Sequence, residues 1–179
     1  MIEEEEILFR EYRNEFPLNT IKAWSKSVEE QSKWTYSGWT GEAKEPLRHW
    51  AYVGDYESTG IYREIWAAIL DGLRPDGFGH LKPQRILANL FAHGDSSWLH
   101  KDSQLSTDWT VILYLNDYWD INWGGDTVLV EDNEVLHCCA PTPGKMFLFR
   151  SDLLHGARPV SREAPYPRFG LTYQCAGNA

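Results

Sequence analysis

Trp98-Leu99-His100-Lys101-Asp102 is the stretch on which the reading of this chain turns. In an extended segment residues i and i+2 share a face, so His100 and Asp102 are expected to present an imidazole and a carboxylate to one point in space. A metal ion at that point needs a further donor. The best candidate is His155, in Asp152-Leu153-Leu154-His155-Gly156. Around these two segments lie short strand-like runs at 85–91, 109–115, 127–130, 135–140, 146–149 and 169–175. Turn signals separate them: Gly94-Asp95, Gly124-Gly125, Asp132-Asn133, 141–144 and 165–167. Many short strands at this spacing predict a sandwich or barrel.

Upstream of residue 81 the pattern changes to helical spacing. Ile21, Trp24 and Val28 recur at three and four residues behind the capping candidates Asn19 and Thr20. Ile61, Ile65 and Ile69 recur at four behind Ser58 and Thr59, with Gly72 as the stop. A third helix is expected over 4–16, ending before Pro17. The Trp- and Tyr-rich stretch 34–53 reads as loop, then a strand near 48–53. The expectation is one domain over 1–179. Residues 1–80 form a mainly helical buttress and substrate-side segment, and 81–179 form the β core.

The chain has 179 residues with 42% hydrophobic and 24% charged, an ordinary globular composition. No run of about 18 apolar residues exists, so no membrane-spanning helix is expected. The acidic start Met1-Ile2-Glu3-Glu4-Glu5-Glu6 does not resemble an export signal. A net charge of −9 has the wrong sign for nonspecific nucleic-acid binding, so neither nucleic acid nor membrane is the expected partner. The cysteines are Cys138, Cys139 and Cys175; adjacent strand residues point to opposite faces, which argues against a bridge between the first two. A reducing, cytoplasmic setting fits this usage.

Two histidines and one carboxylate form the facial ligand set of non-haem Fe(II) sites. Three protein ligands leave three positions open for a chelating cosubstrate and O2. A chelating 2-oxo acid also needs its far carboxylate neutralised in a buried place, a task suited to a bidentate Arg. Arg168 opens the last strand-like run; Thr172 shares its face, and Tyr114 can add a phenol.

The ordered set His100-x-Asp102, Tyr114-Leu115-Asn116, Gly124-Gly125-Asp126-Thr127, Pro143-Gly144-Lys145-Met146-Phe147-Leu148-Phe149, His155-Gly156 and Arg168-x-x-x-Thr172 resembles the 2-oxoglutarate/Fe(II)-dependent oxygenases. Within them it is most similar to the prolyl hydroxylase branch. The resemblance implies a double-stranded β-helix, a distorted jelly roll with supporting helices. It implies His100, Asp102 and His155 as iron ligands and catalytic centre, and Arg168, Tyr114 and Thr172 as contacts to 2-oxoglutarate. It implies Fe(II), 2-oxoglutarate and O2, with ascorbate as a candidate reductant. The activity implied is hydroxylation of a C–H bond, first of all in a prolyl residue of a peptide or protein, with release of succinate and CO2. A free amino acid or small metabolite is the alternative substrate class. A cupin-like metalloenzyme and a non-catalytic jelly-roll binding module are the alternatives from other classes.

Departures sharpen this. Arg168 stands where collagen-type prolyl hydroxylases carry Lys, which is closer to the oxygen-sensing type. Gln174 and Gly170 stand where the nucleic-acid demethylases carry Arg and Asn, which argues against an alkylated base. Asp102 is present where halogenating members have a small residue. Arg85 and Asn89 share one strand face and are expected to point into the barrel near the iron, with contact to cosubstrate or substrate and a hydrogen-bonded core role as equal readings. His49, His80, His93 and His137 are expected to be structural or exposed. Trp34, Trp39, Trp50, Trp119 and Trp123 are candidates for an aromatic wall around a substrate, with core packing as the plainer reading for each.

Overall fold

Phe169, Leu171, Tyr173 and Cys175 are buried in one apolar core, while Arg168, Thr172 and Gln174, which alternate with them in sequence, line a pocket on the other side. That alternation requires an extended strand at the centre of a two-sided sheet. The computed structural model describes residues 7–38, 47–54 and 60–177. Its elements in chain order are β1 (Phe9–Tyr12), α1 (Leu18–Gln31), β2 (Thr35–Gly38), β3 (Leu47–Gly54), α2 (Gly60–Leu73), β4 (Lys82–Phe91), β5 (Trp109–Tyr114), β6 (Thr127–Glu131), β7 (Glu134–Cys139), β8 (Met146–Arg150), β9 (Leu154–Ala157) and β10 (Arg168–Ala176). The large sheet has the order β1-β8-β5-β10-β4-β3-β2, and the small one the order β7-β6-β9. Every strand pairing is antiparallel. This is the double-stranded β-helix expected from the sequence.

The two helices cover the outer face of the large sheet. Ile21, Trp24 and Val28 of α1 and Ile61, Ile65, Trp66 and Ile69 of α2 pack on Ile86, Ala88, Val111, Leu113, Met146 and Leu148. Full burial of each large aliphatic side chain contributes about 1.5–3 kcal/mol. Trp24 Nε1 donates to Glu64 Oε1 at 3.0 Å and fixes one helix against the other. The inner face meets the small sheet through Ile112, Tyr114, Phe147 and Phe149 on one side and Leu129 and Cys139 on the other. β6 turns into β7 over Asp132 and Asn133, which both hold positive φ (50° and 65°), the geometry of a two-residue hairpin turn.

Several expectations need correction. Residues 9–12, read as part of a helix over 4–16, form strand β1, pairing with β8 from Phe9↔Phe149 to Tyr12↔Met146. The unpaired edge of β8 offers these residues a full set of backbone partners, and tertiary pairing overrides weak helical spacing. Positions 4–6 of that segment lie outside the described residues. Helix α1 starts at Leu18, after Pro17, and not behind a side-chain cap: Asn19 Oδ1 accepts from the neighbouring Thr20 N–H. Ser58 and Thr59 lie outside the described residues. Gly72 is inside α2; the stop is Gly77, whose left-handed φ of 89° follows a 3-10 turn over Arg74–Asp76. Residues 35–38, read as loop, are β2. The first eighty residues therefore add three strands to the large sheet as well as two helices.

β1 carries a half-buried charge that faces a buried one, Lys145. Glu11 accepts from His137 Nε2 at 2.9 Å and Arg13 Nη2 at 2.8 Å, and pairs with Lys145 Nζ at 3.2 Å. Burial opposes the ionised carboxylate, but His137, Arg13 and Lys145 together bring it down from 4.5 to about 2. Glu11→Gln leaves the buried Lys145 ammonium without its counter-charge and should cost about 2–4 kcal/mol in urea unfolding at pH 7. Because the folded pKa is depressed, this contribution is complete above the unfolded value of 4.5 and is lost as pH falls toward about 2. The gap between parent and variant should narrow over that window; a gap that stays constant to pH 3 would remove Glu11 from this role.

Candidate active site

The loop before β5 and the strand β9 bring the predicted donors together. His100 N–H donates to His155 O and His155 N–H to His100 O, both at 2.9 Å, and Asp102 N–H reaches Ser151 O at 3.0 Å. His100 and Asp102 are thus not part of a regular strand, as the i, i+2 reading assumed; an isolated bridge to β9 holds them. Gly156 makes the approach possible: a Cβ there would stand 2.9 Å from Ser97 O.

The side chains converge. His100 Nε2 lies 3.5 Å from Asp102 Oδ1, and His155 Nε2 lies 3.5 Å from Asp102 Oδ2. The donor atoms of the three residues all lie within 4.8 Å of one another. His100 Nδ1 sits 2.8 Å from Trp98 O and His155 Nδ1 sits 3.0 Å from Leu153 O. A carbonyl only accepts, so each Nδ1 carries the proton and each Nε2 lone pair points to the centre. Thr110 Oγ1 donates to Asp102 Oδ2 at 2.7 Å and orients the carboxylate. Burial opposes the Asp102 charge, but the adjacent His100 and His155 imidazoles and the hydrogen bond from Thr110 hold its carboxyl far below the usual range. Burial also opposes a proton on His100, and the Asp102 carboxylate outweighs it, raising that imidazole above its ordinary value.

A second buried charge stands on the same inner face. Arg168 is 3% exposed. Its Nη2 donates to Thr127 Oγ1 at 2.9 Å, and its guanidinium lies 5.1 Å from the ring centroids of both Phe91 and Tyr114. Its Nε has no partner, although the group lines the same pocket as the triad. Register orders the pocket: Arg168 pairs with Phe91, Gly170 lies between Asn89 and Tyr114, Thr172 between Leu87 and Ile112, and Gln174 opposite Thr110. The triad end and the Arg168 end are therefore two ends of one polar track along β10.

A profile of the 2OG-Fe(II) oxygenase superfamily matches residues 85–173, the segment that holds the triad, Thr110, Thr127, Arg168 and Thr172. The chain belongs to this superfamily. It is an enzyme of that class, which uses Fe(II), 2-oxoglutarate and O2. A Pseudomonas putida prolyl-4-hydroxylase is similar in structure, with 19% identity, 96% of this chain and 93% of that one covered, and a TM-score of 0.71. A Trichoplax adhaerens prolyl hydroxylase, solved with a hypoxia inducible factor oxygen degradation domain peptide fragment, has 15% identity, coverage of 94% and 83%, and a TM-score of 0.70. An oxidoreductase of the 2OG-Fe(II) oxygenase family from Burkholderia pseudomallei has 16% identity, coverage of 97% and 87%, and a TM-score of 0.72. No curated protein matches the chain in sequence.

In this oxygenase the remaining candidates fall into two groups. Thr172 and Asn89 line the pocket. Tyr114 does not: its hydroxyl is fully buried against Thr127 Oγ1 at 2.8 Å, and its ring lies against the Arg168 guanidinium. Burial raises that phenol far above its ordinary range. Arg85 is half-buried on the inner face, opposite Gln174, without lining the pocket. The aromatic wall does not form among the described residues. Trp34 packs on Phe169 in the outer core, Trp50 pairs with Tyr36 on the outer face, and Trp119 and Trp123 pack with Tyr166. Trp39 lies outside the described residues. His137 holds Glu11, His80 contacts Gly77 O and His93 faces Val160 O.

Sequence reasoning missed three residues of the site. Thr110 shares a strand face with Ile112 and Tyr114, so the alternation of β5 already placed it inside. Thr127 was read only as part of a turn into a strand. His49, read as structural or exposed, is 2% exposed and lines the pocket.

Thr127 serves two buried groups at once. Thr127→Val removes the partner of both the Tyr114 hydroxyl and Arg168 Nη2. It should lower stability by about 2–4 kcal/mol in urea unfolding, while Thr127→Ser stays within about 1 kcal/mol of the parent. Equal stability of the Val variant would show that neither group depends on this hydroxyl.

Proposed function

We propose that this oxygenase hydroxylates a prolyl residue in a peptide or protein, with His100, Asp102 and His155 holding Fe(II) and Arg168 holding 2-oxoglutarate. The observation that carries the site reading is the polar track along β10. Two imidazole Nε2 atoms and a carboxylate converge at one end, and a buried guanidinium with a free N–H stands at the other. The donor set suits Fe(II), and three ligands on one side leave the other side open. Bound there with 2-oxoglutarate and O2, the iron supplies the oxidising chemistry: one oxygen atom enters succinate as CO2 leaves, and the other enters a C–H bond of the substrate.

The chain's own residues supply position and charge. His100 and His155 are locked in the ligating tautomer by Trp98 O and Leu153 O. Thr110 aims the Asp102 carboxylate. Arg168 neutralises the far carboxylate of the cosubstrate, and Thr172 offers a hydroxyl along the way. Gly170 places no side chain between them, which leaves room for the cosubstrate to pass. Tyr114 acts beneath this layer by supporting Arg168 through Thr127. The apolar inner walls, Leu87, Phe91 and Ile112, keep the track dry.

The prolyl assignment is supported by prolyl hydroxylases among the structural neighbours and by the exposed Trp98 and Leu99 beside His100, which offer apolar surface to a chain outside the pocket. Gln174, a neutral amide at the triad end, gives no cationic partner for a nucleic acid. One domain over 1–179 suffices for this activity. No described helix is long and apolar enough to cross a membrane, and unpaired Cys138, Cys139 and Cys175 fit a cytoplasmic setting.

Anaerobic addition of Fe(II) and 2-oxoglutarate should give a visible charge-transfer band. His155→Ala should abolish the band and succinate formation; turnover that survives in this variant would overturn the ligand assignment. Arg168→Ala should raise the half-saturating 2-oxoglutarate roughly a hundredfold, the loss typical of an unpaired buried charge contact. Prolyl peptides incubated with the complete system should gain one oxygen by intact mass. Gain only on free amino acids would move the substrate to that class, and a bound metal without any band would favour cupin-like chemistry.

A further inference from the structure

His49 is the one pocket residue that comes from β3, outside the segment matched to the superfamily. Its ring lies flat on Phe91, with centroids 4.3 Å apart and planes at 13°. Its Nε2 is 3.1 Å from Asn89 Oδ1, and its Nδ1 has no partner. Burial, helped by the nearby Arg168 and His100 and opposed by the hydrogen bond to Asn89, pushes His49 down to about 4, so the ring is neutral at pH 7. A neutral ring has one N–H. Placed on Nε2, it donates to Asn89 Oδ1 and leaves a lone pair on the buried Nδ1. Placed on Nδ1, it would leave a buried donor unsatisfied, the costlier arrangement. The first tautomer also fixes the Asn89 amide: with Oδ1 engaged by His49, the NH2 group is left for the pocket.

Asn89 stands directly opposite Gly170, at the level between Arg168 and Thr172. A 2-oxo acid that reaches from Arg168 to the triad must pass it. We propose that His49 is a positioning residue for the cosubstrate: its Nε2–H holds the Asn89 amide with the NH2 group turned into the pocket, as a donor to an oxygen of the bound 2-oxo acid. This rests on the assignment of the β10 track to 2-oxoglutarate. His49 itself does not touch the reacting atoms. Without the His49 N–H, Asn89 is free to rotate, and its carbonyl, which repels a carboxylate, can face the ligand.

The test uses the full chain, loaded anaerobically with Fe(II) and titrated with 2-oxoglutarate by the charge-transfer band. His49→Phe keeps an aromatic ring on Phe91 and deletes the N–H. Half-saturation should rise about tenfold, the scale of one hydrogen bond to a charged group, while Fe(II) affinity changes less than about twofold. His49→Gln, which can donate to Asn89 Oδ1, should recover most of the loss. Asn89→Leu should raise half-saturation to a similar degree, and the double variant His49→Phe/Asn89→Leu should be no worse than Asn89→Leu alone, because both changes remove one interaction. Additive losses, or unchanged half-saturation in folded His49→Phe, overturn the proposal and leave the Arg168 assignment standing. No band in the parent protein overturns both. Should His49→Phe not fold, His49→Leu takes its place in the same comparison.

Discussion

The two-residue period of β10 is the constraint to which the rest of the molecule answers. It lies near the middle of the large sheet, with β5 on one side and β4 on the other. Both of its faces are covered. Phe169, Leu171, Tyr173 and Cys175 go to the helices, and Arg168, Gly170, Thr172 and Gln174 go to the pocket. A slip of one residue would put the guanidinium among α1 and α2 and Phe169 in the pocket. The register is therefore fixed by the difference between burying apolar surface and burying an unpaired charge, which amounts to several kcal/mol at this one strand. The bulge between Gln174 and Cys175 comes only after the last pocket-lining residue, where this precision is no longer needed.

Burying charge on the inner face sets a second requirement. Arg168 is accommodated by Thr127 and by the faces of two rings, and Asp102 by two imidazoles and a hydroxyl. Glu11 and Lys145 are accommodated by each other at the far side of the inner layer. The three solutions differ in one respect. Glu11 and Lys145 meet as opposite charges, so that cluster is complete and structural. Arg168 has no carboxylate and Asp102 has no full cation among the described residues. Their compensation is partial, which leaves each open to a ligand of opposite sign. The same argument separates the histidines: His137 is consumed by Glu11, whereas His100 and His155 keep Nε2 uncommitted except toward Asp102.

These differences explain what was legible in the sequence. Strands β4 to β8 and β10 announced themselves because their alternation and turn residues are local properties, and the triad and Arg168 because few chemistries call for those residue types in that order. β1 was missed because four residues at a sheet edge owe their conformation to β8, a partner more than a hundred positions away. The assumption that His100 and Asp102 share a strand face picked residues that do converge, but by the wrong geometry: what aligns them is the reciprocal backbone pair with His155. Tyr114 was placed on the correct face, but only the structure shows Thr127 between its hydroxyl and the pocket. His49 could not be singled out, because a histidine in an aromatic stretch reads the same whether its strand pairs with β4 or hangs in a loop.

The distribution of unsatisfied groups carries the argument one step further. Buried polar side-chain atoms are nearly always hydrogen-bonded in folded proteins. Among the described residues two stand without a partner, His49 Nδ1 and Arg168 Nε, and both residues line the same pocket. Had the fold been shaped for stability alone, such atoms would be scattered or absent. Their coincidence with the metal-competent triad is the pattern of a pocket in which local stability is traded for ligand binding. On the proposed assignment, cosubstrate binding and folding draw on the same interactions. A ligand that satisfies Arg168 and sits against Asn89 stabilises the inner face of the large sheet in proportion to its affinity. The helices on the outer face, which touch neither group, hold the sheet together in the meantime.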